Sequence, residues 1–242
     1  MLRDGLTQQL DHDPNFRWRG KAVTRIENLS DIVFALALGL LVSAGTPPQT
    51  YQELFPHLMD IVPVTAGFIT MVGIWHAHFT YFRRYGVADG QIIALNAILL
   101  LLILFLATPL RFVFDSLFAF VLGSMGDWSR MEAMGIASYR QAGVITGWFG
   151  LGYALVFGVF HQMYMHALRK ADILDLSPIE RQMTKRSIWA YRAEVVIASL
   201  AGLIAAFTIV GPFAGFLLML NWPFALIIKR ALKLPEADSK AA

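Results

Sequence analysis

Residues 92–112 read Ile92-Ile-Ala-Leu-Asn96-Ala-Ile-Leu-Leu-Leu-Leu-Ile-Leu-Phe-Leu-Ala-Thr-Pro-Leu-Arg111-Phe112, with no charge before Arg111. A membrane helix needs about 20 mostly apolar residues, because the hydrocarbon core is ~30 Å thick and each helical residue rises ~1.5 Å. This block meets that length, and similar blocks lie on both sides of it. Upstream are Ile61–Phe82 and Ile26–Ala44; downstream are Ala137–Met165, Ser187–Val210 and Pro212–Ile228. The expected fold is therefore all-α: an integral membrane protein with six transmembrane helices. Composition agrees, with 57% hydrophobic and 15% charged residues against ~45–50% and ~25% in soluble domains.

Between the blocks the expected connections are short. The loop Gly45-Thr-Pro-Pro-Gln49 is followed by an interfacial stretch, Tyr51–Asp60. Pro63 stands near the start of the second span, where proline is best tolerated. Ser116–Leu122 extends or follows the third span, Gly123–Gly135 forms a polar loop, and Arg169–Arg186 a charged one. Gly211-Pro212 signals a tight turn between the last two spans. The domain division is a polar N-terminal tail (1–25), a six-helix transmembrane domain (26–230) and a C-terminal tail (231–242). The N-terminal residues lack the apolar core of a signal peptide. The chain has no cysteine, which excludes disulfides, thiolate metal sites and cysteine nucleophiles.

Orientation follows from lysine and arginine. With six spans, sixteen of these residues fall on the side of the N terminus, and only Arg111 and Arg130 fall on the other. Arg140 and Arg192 lie within spans. An imbalance that alternates so regularly supports the count and places both termini in the cytoplasm. The second half shows no repeat of the first, which argues against an inverted-repeat transporter.

Polar residues at membrane depth are costly, and mark pairing or function. The first helix opens Arg25-Ile-Glu-Asn-Leu29-Ser30-Asp31, and Asp31 lies ~9 Å beyond Arg25 along a helix. The second span carries Trp75, His76 and His78 near its cytoplasmic end, the third carries Asn96, and the fifth carries Arg192 and Glu194. All are expected at one depth, just inside the cytoplasmic face. There Ser30, Trp75, His78 and Asn96 form a hydrogen-bond network that braces the helices, and Arg25 with Asp31 adds electrostatic bracing. His76 and His78 point ~200° apart on a helix, so no shared metal is expected. His161 and His166 read as interfacial. Gly143-x-x-x-Gly147 and Gly211-x-x-x-Gly215 offer close helix contacts.

These motifs resemble a known family. Arg25-x-x-x-Leu29-Ser30-Asp31, with the apolar run that follows it, is similar to the Arg-x-x-x-Phe-Ser-Asp signature of the transmembrane protein 175 family of potassium channels. Trp75-x-x-His78 resembles that family's second-helix pattern, and Leu95-Asn96 with its leucine run resembles the third. The resemblance implies a homotetramer whose first helices line a central pore, narrowed by apolar side chains rather than by a Thr-Val-Gly-Tyr-Gly filter. It implies a constriction at Leu36 and Leu40, with Gly39 and Ser43 on nearby pore-facing positions. Arg25, Ser30, Asp31, Trp75, His78 and Asn96 are then the signature and bracing set. The implied permeant ion is potassium, with no cofactor, no metal and no nucleic acid. The implied partners are identical subunits, the lipid bilayer and monovalent cations. The single six-helix unit implies a bacterial plasma membrane. Leu29 replaces the signature phenylalanine, Ile32 a glycine, and Gly39 stands where many relatives carry threonine, which widens that ring. The alternative is an ion-coupled carrier using Asp31, His78 and Glu194. Paired catalytic acids and a Ser/His/Asp arrangement are both missing, so an enzyme is not expected.

Overall fold

The fold comes from a computed structural model, which describes residues 15–45, 47–136, 138–208, 213–214, 217 and 220–232. Every regular element among them is helical. In order they are α1 (Arg25–Ser43), α2 (Tyr51–Met59), α3 (Ile61–Tyr85), α4 (Gly90–Ser124), α5 (Ser129–Ala133), α6 (Tyr139–Arg169), α7 (Pro178–Phe207) and α8 (Asn221–Ala231). Five segments are long and apolar enough to cross a membrane: Arg25–Ser43, Tyr51–Tyr85, Gly90–Ser124, Arg140–Arg169 and Pro178–Phe207. Among the described residues of the expected sixth span, Pro212–Ile228, the α-helix is α8. Gly211-Pro212 and Gly215 lie outside the described residues.

Local chemistry sets the helix ends. Thr24 and Glu27 form a capping box that starts α1, and Asp89 accepts from the Ile92 amide at 3.0 Å to start α4. Gly86 ends α3 in the left-handed region (φ 61°), with its N–H on the Phe82 carbonyl at 2.9 Å, a conformation that disfavours any residue with a Cβ. Ser177, Pro178 and Glu180 supply a second capping box with proline at the first turn. As a result α7 begins inside the stretch expected to be a charged loop, nine residues before the expected span. The interfacial stretch is itself helical, and α2 runs almost directly into α3. The segment after Phe112 continues α4 to Ser124.

The ends of the helices gather in two layers. On the basic side, Gly20 N and Arg19 N donate to the Arg83 carbonyl at 3.1 Å. The Arg19 guanidinium holds Glu180 at 2.8 Å and the Leu174 carbonyl at 2.6 Å. Asp89 meets His166 at 2.7 Å and Lys170 at 2.5 Å. Residues 15–24 thus lie against the basic ends of α3 and α7, with Phe16 edge-on to Tyr85 at 5.4 Å. A Cβ on Gly20 would stand 2.3 Å from the Phe82 carbonyl oxygen, so only glycine lets this strap pass. Beneath it, Tyr81, Tyr85, Tyr164 and Tyr191 pack tilted or edge-on at centroid distances of 5.1–5.5 Å. Each buried phenol of this kind needs a partner, and Tyr85 finds the Thr184 hydroxyl at 2.7 Å.

In the interior, α1 presents Phe34, Ala37 and Leu41 to α3 and α4, all buried. Helices α6 and α7 approach closely through glycine. A Cβ on Gly150 would lie 2.9 Å from the Ala198 carbonyl, and one on Gly147 would lie 2.9 Å from the Ala206 Cβ. Gly147 of the noted small-residue pair is therefore a contact point, as small residues allow in membranes.

Candidate functional site along the first helix

Helix α1 has two unlike faces. Ser30, Phe34, Ala37 and Leu41 recur at helical spacing and are buried. The opposite stripe is bare. Ile32, Leu36 (54% exposed) and Leu40 (39%) stand with Gly39 and Ser43 on the open surface. A Cβ built on Gly39 meets nothing within 4 Å. The Ser43 hydroxyl turns back to the Leu40 carbonyl at 3.4 Å.

The buried face is fastened by a chain of hydrogen bonds. Ser30 Oγ donates to the Ile26 carbonyl at 2.7 Å. Its lone pairs then accept Asn96 Nδ2–H at 3.0 Å. The Asn96 amide oxygen faces His78 Nε2 at 2.9 Å. A carbonyl oxygen only accepts, so His78 must carry its proton on Nε2. The three side chains are at most 2% exposed. One helix each supplies hydroxyl, amide and imidazole, and each group satisfies the next. Phe34 and Phe82 rings pack on the imidazole at 5.6 and 4.7 Å.

Beside this chain, Trp75 Nε1–H donates to Asp31 Oδ1 at 2.9 Å. Both face the open surface more than Ser30 does. Arg25 is exposed and makes no ion pair with Asp31 among the described residues; the expected Arg25–Asp31 bracing is replaced by the indole contact. The reason is geometric: six residues place the two side chains well over a turn apart. Arg192 and Glu194 also stand away from the network. Arg192 lies over the Trp189 ring at 5.1 Å, and Glu194 lines a separate cavity. No group of three or more His, Cys, Asp or Glu side chains among the described residues is placed to hold a metal ion.

At the far end of α1 stands a feature that the sequence did not single out. Arg111 donates to Asp60 at 3.0 Å and to Asp115 at 2.7 Å. Arg130 meets the same two carboxylates at 2.6 and 3.3 Å. Two positive and two negative groups close a neutral cluster around Arg111, which is 4% exposed. A Cβ on Gly45 would lie 3.4 Å from the Arg111 guanidinium, so the cluster sits against the end of α1. From Asn96 to Arg111 is fifteen residues of one helix, or ~22 Å. The bare stripe is strung between a hydrogen-bonded layer and an ion-paired layer. The i, i+4 spacing of Arg111 and Asp115 was the available signal for half of this cluster.

Together the helices and polar layers define a polytopic α-helical membrane protein, with one helix fastened on one face and open on the other. The family described as the endosomal/lysosomal potassium channel TMEM175 matches residues 25–106, the part that carries all three motifs. A protein of Marivirga tractuosa named potassium channel is 34% identical over 230 residues, spanning 90% of this chain and 91% of that protein. The crystal structure of a variant of the potassium channel MtTMEM175, in complex with a nanobody–MBP fusion, is similar at a TM-score of 0.78. It has 34% identity, covering 91% of this chain and 97% of the other. A TMEM175 homolog from Chamaesiphon minutus shares the fold, at a TM-score of 0.55 and 23% identity, with 84% and 96% covered. The chain belongs to the TMEM175 family of potassium channels.

Proposed function

We propose that this chain is a potassium-permeable cation channel of a bacterial plasma membrane, with six spans and cytoplasmic termini. Four copies assemble around a central pore, and α1 of each lines it. The observation that carries this reading is the division of α1 into a fastened face and a bare apolar stripe. A helix that faced the interior of its own subunit would bury both. The name of the relative supports the activity: the matches at 34% identity, in sequence and in structure, are called potassium channel.

In this reading Leu36 and Leu40 form the constriction, with Gly39 and Ser43 lining the path beside it. An apolar ring passes an ion only when water enters or the ion sheds water, so the ring gates by dewetting. It favours potassium over sodium because potassium gives up its hydration more readily. Ser30, His78 and Asn96, with Trp75 on Asp31, hold α1 at a fixed rotation so that the leucines keep facing inward, and Arg25 stands at the charged entrance. The excess of basic residues on one side makes that side cytoplasmic. The permeant ion needs no cofactor.

Passive potassium flux into liposomes tests the reading. Leu36→Asn wets the ring and should raise flux at least severalfold, with a loss of discrimination against sodium. A cysteine placed at Leu36 should give an inter-subunit disulfide product. Strict proton-coupled uphill uptake, or no cross-linked product, would overturn the pore assignment.

A further inference from the structure

Away from α1, a cavity of about 650 Å³ opens between α3, α4, α6, α7 and α8. That volume falls in the range of small-molecule sites. Its walls are nearly all apolar. On α6, Phe149, Tyr153 and Phe157 recur every four residues along one helix face. Their rings follow one another at 6.0 and 4.5 Å. On α3, Gly73 borders the same space, and a Cβ built on it would meet nothing within 4 Å.

Two polar side chains of this lining stand out. Glu194 Oε2 and Asn221 Oδ1 are both enclosed, and neither has a hydrogen-bond partner among the described residues. Both residues line this cavity. One of them stands on α8, which is tied to α7 where Arg186 donates to the Lys229 carbonyl at 3.0 Å. A buried acceptor without a donor is costly. Here two such acceptors belong to residues that line one open space.

The chemistry that fits is specific. Two acceptors call for N–H donors, and a carboxylate calls for positive charge. A wall of ring faces also attracts a cation, while the remaining surface suits an apolar body. We propose that this cavity is a binding site for a small lipophilic amine. Its ammonium sits against Glu194 and Asn221, and its hydrocarbon lies along Phe149, Tyr153 and Phe157. The site is separate from the α1 stripe, and binding is read without flux, so it stands or falls apart from the pore assignment.

The test uses the purified, assembled protein in nonionic detergent. Its unfolding temperature is followed against rising 4-phenylbutylamine, with 4-phenylbutanol as the uncharged counterpart. The amine should give a saturable rise, and the alcohol none at matched concentration. Glu194→Gln should weaken the apparent affinity tenfold or more. Gly73→Leu fills the cavity from α3 and should abolish the saturable rise while leaving the unliganded unfolding temperature near wild type. The proposal is overturned if the alcohol matches the amine, if wild type shows no saturable rise, or if the amine binds Gly73→Leu or a folded Glu194→Gln protein as well as it binds wild type.

Discussion

Asn96 sits between a hydroxyl that has already given its proton to Ile26 and an imidazole that must give one. No other uncharged side chain of its size donates and accepts in those two directions. Asn96→Leu keeps the branched shape but leaves His78 Nε2–H without an acceptor and the Ser30 Oγ lone pairs without a donor, while Ser30 still bonds the Ile26 carbonyl. Each orphaned group costs about 1–3 kcal/mol, so the variant should unfold at a markedly lower temperature in detergent. Adding His78→Phe removes one orphan and should recover part of the loss; a double variant as unstable as the sum of both singles would contradict the network. The members of this network were legible in the sequence, because an amide or imidazole inside an apolar block stands out against its background. The partners of Arg111 and Arg130 were not. Asp60 lies 51 residues from Arg111 and 70 from Arg130, in a polar stretch where a charge attracts no notice. Only the fold brings them together.

At the scale of elements, the helix ends carry the connections. The loop between α3 and α4 is short, and Asp89 ties it to the end of α6 through His166 and Lys170. Partial burial alone would raise its carboxyl, but hydrogen bonds from Lys170, His166 and the Ile92 amide outweigh it and hold the group well below the usual carboxylate range. A carboxylate depressed in the folded state adds stability above the unfolded value near pH ~4, and loses it as pH falls through the folded one. Asp89→Asn should therefore be less stable than wild type at pH 7, and the gap should close as both are acidified. Unfolding temperatures of the two proteins from neutral to acid pH check this; a gap that widens on acidification would refute it. Apolar blocks 26–44, 61–82 and 92–112 all matched long helices. The α7 start was missed because length and hydropathy locate the lipid crossing, whereas the helix itself begins where Ser177 and Glu180 cap it.

Across the whole molecule, two polar layers clamp the bundle ~22 Å apart, one uncharged at its centre and one built from ion pairs. Buried pairs are screened little by salt. Removing one member leaves others uncompensated. Arg111→Ala should destabilise the protein by about 3 kcal/mol, the low end for a buried pair because Asp60 keeps some exposure. The loss should persist in 1 M salt, where a surface pair would already have been silent; equal stability of variant and wild type at high salt would show the cluster to be superficial. Between the layers, α1 separates the atoms that hold the subunit together from those on its open side. The empty space beyond Gly39 is the sharpest case, since a side chain there displaces nothing. Gly39→Thr should leave unfolding temperature unchanged and alter only ion preference, measured as the ratio of potassium to sodium flux. Positions 36, 39, 40 and 43 can then vary over generations with little penalty in folding. In the channel proposed above, a descendant of this chain can acquire a new ionic taste by drift along one stripe, while the hydroxyl, amide and imidazole behind it stay where they are.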